Sequence, residues 1–152
     1  MFKKIVFVCT GNICRSPVAE YLLKNQIQKM KVKTPTDITI SSAGTHAATH
    51  LSISPNAKII LNEENIECTQ HCAVQINKDI INNSDLILVM ENVHKYTINM
   101  MSPESHGKVF LLGHWGNFEI ADPYQQSLEF FRDIKKQIEQ GLACWVKKMY
   151  SS

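Results

Sequence analysis

At 152 residues and a net charge of +2, the chain is sized for one domain spanning residues 1–152. So small a charge gives no electrostatic case for nucleic acid or a membrane surface as a partner. Five cysteines, an odd number, argue against a secreted disulfide framework, and Cys68, His71 and Cys72 lack a second ligand pair at zinc-like spacing.

The opening Met1-Phe-Lys-Lys4 has the look of a signal peptide, but the apolar run behind it, Ile5–Val8, is too short for one. No run is long enough for membrane insertion, and a cytoplasmic monomer is expected. Lys4–Cys9 reads as a buried strand. After a tight turn, Ser16-Pro17 opens a helix, with serine as N-cap and proline in the first turn. Val18, Leu22, Leu23 and Ile27 lie along one face of it. Ile38–Ser42 reads as the second strand. Ser54-Pro55 opens a second helix, with Ala57, Ile60 and Leu61 facing inward. Asn77–Asn83 reads as a short helix, Asp85–Met90 as the third strand, Glu91–Met101 as another helix and Lys108–Leu112 as the fourth strand. The stretch from Leu112 to Gln126 is long and irregular, which in a compact domain points to function. The last helix, Ser127–Tyr150, carries Phe131, Ile134, Ile138, Leu142 and Trp145 at steps of three and four; Gly141 is expected to bend or weaken it. Strands alternating with helices predict an α/β fold of three layers: a four-stranded parallel sheet with helices on both faces and a phosphate loop after the first strand.

That loop is Cys9-Thr-Gly-Asn-Ile-Cys-Arg-Ser16. A thiol ends a strand, an arginine follows six positions later, and a helix begins there. The backbone N–H groups of Thr10, Gly11, Asn12, Ile13, Cys14 and Arg15 would make an anion cradle, assisted by the helix dipole. Gly11 is expected to take a positive φ, and Asn12 tolerates one better than most residues. Arg15, one of only two arginines beside Arg132, supplies the planar fork that lysine lacks. A helix N-terminus and a cation favour the thiolate, so Cys9 reads as the nucleophile. The Gly-Lys-Ser/Thr ending of a nucleotide-binding loop is missing.

A phosphate ester's leaving oxygen benefits from a proton. Asp122-Pro123-Tyr124 is the best source. Proline stiffens the backbone there, and Ile120 and Ala121 are expected to give Asp122 an apolar setting that keeps it protonated. Tyr124 would form a wall against an aromatic substrate.

With these residues in view, the chain resembles the low-molecular-weight protein tyrosine phosphatases along its length. The resemblance is carried by Val8-Cys-Thr-Gly-Asn-Ile-Cys-Arg-Ser-Pro17, Ala19-Glu20, Ser42-Ala-Gly44, Asp85-Leu-Ile-Leu-Val-Met90 and Asp122-Pro-Tyr124. It implies that Cys9 attacks phosphorus to form a phosphocysteine, that Arg15 clamps the phosphate, and that Asp122 serves first as acid and then as base. No metal or cofactor is implied. Ser16, Ser42 and His71 would support Asn12 in a strained conformation, and Glu20 would pair with His71. Ile13 and Tyr124 would wall the substrate slot. Cys14 would form a redox-regulating disulfide with Cys9. Val74 replaces an arginine frequent in the family, and residues 45–53 lack an aromatic often found opposite Tyr124. That leaves the cleft more open there, or lined by His46 or His50. Gln125 stands where eukaryotic members carry a second tyrosine. The pattern is similar to bacterial members, which implies a phosphotyrosine protein substrate, a tyrosine kinase of surface-polysaccharide synthesis or its targets. Two alternatives share the fold: an arsenate reductase using Cys68 and Cys72, and a protein-arginine phosphatase, which Ile13 disfavours.

Overall fold

The computed structural model describes residues 2–30 and 37–150. Its elements run β1 (Lys4–Cys9), α1 (Arg15–Lys29), β2 (Thr39–Gly44), α2 (Pro55–Asn62), α3 (Lys78–Asn83), β3 (Leu86–Val89), α4 (Asn92–Met101), β4 (Val109–Leu111) and α5 (Leu128–Tyr150). Short 3₁₀ turns occupy Pro103–Lys108 and His114–Gly116. The four strands form one parallel sheet in the order β2-β1-β3-β4.

Alternation along the strands builds the layers. Ile5, Phe7 and Cys9 pack on one face with Leu23 of α1, Ile60 of α2 and Ile138 of α5. Val6 and Val8 point the other way, against Ile81 of α3 and Ile98 of α4. With both faces covered, all of β3 is buried and reads as an unbroken apolar run. From β1 the chain crosses to β2, then returns past β1 to β3. The carboxyl ends of β1 and β3 therefore flank a crevice at the switch in strand order, where open α/β sheets bind ligands.

Most element ends fall within one residue of the sequence expectation; two differ by two residues, each for a local reason. The second strand extends to Gly44, which pairs with Cys9. A Cβ on Gly44 would collide with the Thr10 carbonyl oxygen and come within 3.1 Å of the Asn12 nitrogen. Glycine there lets the loop after β1 fold across the end of β2. Helix α1 begins at Arg15, so Ser16 is its second residue and not its N-cap. Its hydroxyl is committed to the loop. Pro17 still falls in the first turn, where its missing N–H costs no hydrogen bond. Ser54 and Pro55 do open α2 as N-cap and first residue, but the Ser54 hydroxyl makes no cap bond.

Gly141 does not break α5, which runs on to Tyr150. It is the point where α5 meets the segment after β4: a Cβ there would lie 2.9 Å from both Cγ and the carbonyl oxygen of Leu112. Trp145 Nε1 donates to the Leu112 carbonyl at 3.0 Å, which fixes the same approach. Two effects oppose each other in Gly141→Ala. Helix propensity gains about 1 kcal/mol, and overpacking against backbone costs about 1–3 kcal/mol. Because part of the obstacle is backbone, the cost should win, with a net loss of up to about 2 kcal/mol in urea unfolding. A stabilised variant would mean that α5 can shift freely.

Candidate active site

The loop from Cys9 to Ser16 holds its shape because its carbonyls are tied off outward. Those of Cys9, Thr10, Gly11 and Ile13 accept from the N–H groups of Thr45, His46, Ala48 and Ser54, at 2.9–3.0 Å. The Asn12 carbonyl accepts from His71 Nε2 at 2.7 Å, so that nitrogen carries the ring proton. Turning the carbonyls out turns the intervening N–H groups toward the loop's centre, ahead of α1.

The positive φ lies at Asn12 (59°) and not, as the sequence suggested, at Gly11. A buried side-chain network explains why an asparagine adopts it. Asn12 Oδ1 accepts from the Val74 N–H at 2.9 Å, which fixes the amide's orientation. Its Nδ2 donates to Ser16 Oγ at 2.8 Å and to Ser42 Oγ at 2.9 Å. Ser42 in turn donates to Glu20 Oε1 at 2.6 Å. Three bonds from one side chain offset the roughly 1–3 kcal/mol of a left-handed non-glycine residue. Position 74 contributes through its backbone, so valine in place of arginine leaves that contact intact. The expected Glu20–His71 pair is not formed. Glu20 bonds Ser42 and Lys24, and His71 packs edge-on against Tyr21.

Cys9 is buried, and its Sγ lies 2.9 Å from Ser16 Oγ. With Cys9 as thiolate, Ser16 is the donor of that bond. Cys14 is different in kind. Burial pushes its thiol up to about 11, against the opposing effect of its bond to Ser54 Oγ at 3.2 Å. It stays protonated at neutral pH, so the loop's two cysteines are not equivalent nucleophiles.

The Arg15 side chain is 1% exposed. Nη1 donates to Glu91 Oε2 at 2.6 Å and to the Ile120 carbonyl at 2.7 Å. That leaves Nη2, and the buried Nε, which has no partner among the described residues, for an oxyanion. Glu91 lies just after β3 as the N-cap of α4, in a capping box with His94. His94 Nε2 lies 2.8 Å from Thr10 Oγ1. Neither residue stood out in the sequence as part of the site. A carboxylate at the carboxyl end of a buried strand was the available signal for Glu91. Nothing local marks His94.

The segment after β4 carries Asp122 over the crevice, anchored by the Ile120 N–H on the Met90 carbonyl at 2.9 Å. The Tyr124 N–H binds Asp122 Oδ1 at 3.0 Å, which orients the carboxylate. The apolar setting expected for Asp122 is absent. Its side chain is 52% exposed, with Oδ2 3.9 Å from Arg15 Nη2. Above the loop is a cleft of about 250 Å³, lined by Cys9, Arg15 and Asp122 and walled by Ile13, Leu51 and Tyr124. Leu51 and Ala48, not His46 or His50, fill the side without an aromatic. Cys68 and Cys72 do not line it; Cys72 lies in a separate groove with Glu20, Ser42 and His71.

Burial, and next the Arg15 charge, lower His94 from 6.5 to about 4; Glu91, Asp122 and Glu119 oppose this. The unfolded chain therefore binds a proton that the folded protein refuses between those values. This part of the stability is complete above pH 6.5 and falls by about 3 kcal/mol as pH drops to 4. The melting temperature of His94→Asn should accordingly approach that of the wild type on acidification from pH 7 to 4. A constant gap would contradict it.

A parallel α/β domain whose first strand-to-helix turn builds an oxyanion cradle, with a cysteine at its base and a carboxylate at its mouth, defines a narrow class of proteins. The chain belongs to the low molecular weight phosphotyrosine protein phosphatase family, whose model matches residues 4–152. It is 39% identical to the low molecular weight protein-tyrosine-phosphatase Wzb of Escherichia coli K12, over 98% of this chain and 97% of that protein. Among solved structures it is similar to the Erwinia amylovora tyrosine phosphatase AmsI, at 38% identity and a TM-score of 0.89, covering 100% of this chain and 95% of that one. It is also similar to the YwlE arginine phosphatase of Geobacillus stearothermophilus, at 33% identity and a TM-score of 0.85, covering 95% and 91%. Among the described residues no helix is long and apolar enough to cross a membrane.

Proposed function

We propose that the protein hydrolyses phosphotyrosine in protein substrates through a phosphocysteine on Cys9. In the first step the Cys9 thiolate attacks phosphorus, an S–P bond forms, and the P–O bond to the phenol breaks. Asp122 gives the leaving oxygen its proton. In the second step water attacks phosphorus, Asp122 takes the water's proton, and the S–P bond breaks to return the thiolate. Arg15 and the inward N–H groups bind the equatorial oxygens in both steps. Ser16 stabilises the departing thiolate by its hydrogen bond to Sγ.

The observation that carries this reading is one cleft that holds Cys9, Arg15 and Asp122 beneath walls of Ile13, Leu51 and Tyr124. Those walls suit a flat aromatic ring and offer no charge partner beyond Asp122 for a phosphorylated guanidinium. A tyrosine kinase of surface-polysaccharide synthesis, or its targets, is the proposed source of substrate, by resemblance to bacterial members. Cys14 is proposed to trap Cys9 after peroxide oxidation: the Cys9 sulfenic acid and the Cys14 thiol condense to a disulfide and water.

The test compares phosphotyrosine, phosphoserine and phosphoarginine peptides of one sequence, with arsenate and thioredoxin in parallel. Phosphotyrosine should be preferred by at least about 10²-fold in kcat/KM. Faster turnover of phosphoarginine, or thioredoxin-coupled arsenate reduction without phosphatase activity, would overturn the reading.

A further inference from the structure

We propose that His94 is a positioning residue for this reaction, orienting Thr10 of the phosphate loop and the Glu91 carboxylate that grips Arg15. The inference rests on reading the Cys9 loop as a phosphate site, and it adds a second support on the side away from Asn12.

The hydrogen bonds fix how the imidazole acts. The backbone N–H of Glu91 points at His94 Nδ1 at 3.1 Å, and a backbone N–H can only donate. Nδ1 is therefore the bare nitrogen. The ring is buried and held neutral by its surroundings, so the proton sits on Nε2. Nε2 then donates to Thr10 Oγ1 at 2.8 Å. A threonine hydroxyl that accepts this bond keeps its own proton to give. Thr10 lines the cleft beside Cys9 and Arg15, where an oxyanion would be the acceptor.

The other arm runs through Glu91. Its carboxylate accepts the backbone N–H of His94, while its own N–H is held by the His94 ring. Locked in both directions, the carboxylate presents Oε2 to Arg15 Nη1 at 2.6 Å. One ring thus ties the carboxyl end of β3 to the loop after β1.

A role as helix cap alone would explain less. The cap needs one acceptor at the Nδ1 position, which asparagine would supply without burying a ring. The Nε2–H bond to Thr10 contributes nothing to the cap. A protonated ring would add a cation beside Arg15, and burial keeps it neutral there.

The two arms can be separated by substitution. Asparagine at 94 retains an acceptor near Nδ1 and loses the donor to Thr10. Thr10→Val removes the other partner of the same bond, and its site is only half-buried, so folding is not at risk. The probe is inorganic phosphate as a competitive inhibitor of p-nitrophenyl phosphate hydrolysis. His94→Asn and Thr10→Val should each weaken phosphate inhibition by about 3- to 10-fold, the size of one hydrogen bond, and the double variant by no more than either single. Unchanged inhibition in the single variants, or additive losses in the double, would overturn the proposal. If inorganic phosphate fails to compete in the wild type, the reading of the loop itself falls. If it competes there and both variants match it, only the role of His94 falls.

Discussion

Cys9→Ser is expected to reduce hydrolysis of p-nitrophenyl phosphate by about 10⁵-fold or more, the scale on which loss of a nucleophile registers. The reason lies in what surrounds Sγ. Ser16 Oγ, the inward N–H groups and Arg15 are donors, which stabilise a thiolate but cannot take a proton from an alcohol. The two nearby imidazoles are committed. His71 gives its Nε2 proton to Asn12, and the bare nitrogen of His94 is occupied by the Glu91 N–H. A serine at position 9 would therefore stay protonated and inert. Inorganic phosphate should still bind the variant, because the cradle is intact and one negative charge has been removed. Turnover at the wild-type rate would sink the mechanism. Loss of phosphate binding as well would point to a collapsed loop instead.

Asp122→Ala should lower kcat for a phosphotyrosine peptide by roughly 10²–10⁴-fold, the usual range for a missing general acid. The loss should shrink for p-nitrophenyl phosphate, whose phenolate leaves readily without a proton. That dependence on the leaving group separates proton donation from a structural role. Asp122 is half exposed, and its two contacts, the Tyr124 N–H and a long 3.9 Å approach to Arg15 Nη2, are both at the cleft mouth, so its removal should barely alter the melting temperature. Equal losses on both substrates would deny Asp122 the role of acid.

The chemistry of the site was far more legible in the sequence than its supports. The Cys9 loop carries thiol, turn and arginine within eight positions of the chain, and its physics is local. Strand and helix order followed from apolar runs and breaks, because both faces of this sheet are buried. Glu91 and His94 reach the loop only because β3 lies beside β1, and no local pattern encodes that neighbour. The same limit explains Ser16, which a local rule makes an N-cap and the fold gives to Asn12 and Cys9. It explains Gly11 and Asn12 as well. The intrinsic preference for positive φ favours glycine, yet the Asn12 amide's bonds to the Ser16 and Ser42 hydroxyls and from the Val74 N–H place it at asparagine. Gly44 and Gly141 are required by backbone that approaches from elsewhere, which the identity of the residue alone does not reveal. Asp122 is legible through its pairing with the loop, but its exposure is not, since the side chain lies at the mouth of the cleft and not among Ile120 and its neighbours.

In the proposed reaction the phosphoryl group passes through Cys9. The most direct measurement is acid-quenched mass spectrometry of the enzyme mixed with p-nitrophenyl phosphate, using Asp122→Ala to slow the hydrolytic step. A phosphoryl group on the peptide containing Cys9, absent in Cys9→Ser, is the predicted result. Turnover with no phosphoryl-enzyme, or with the group on any other residue, would contradict it.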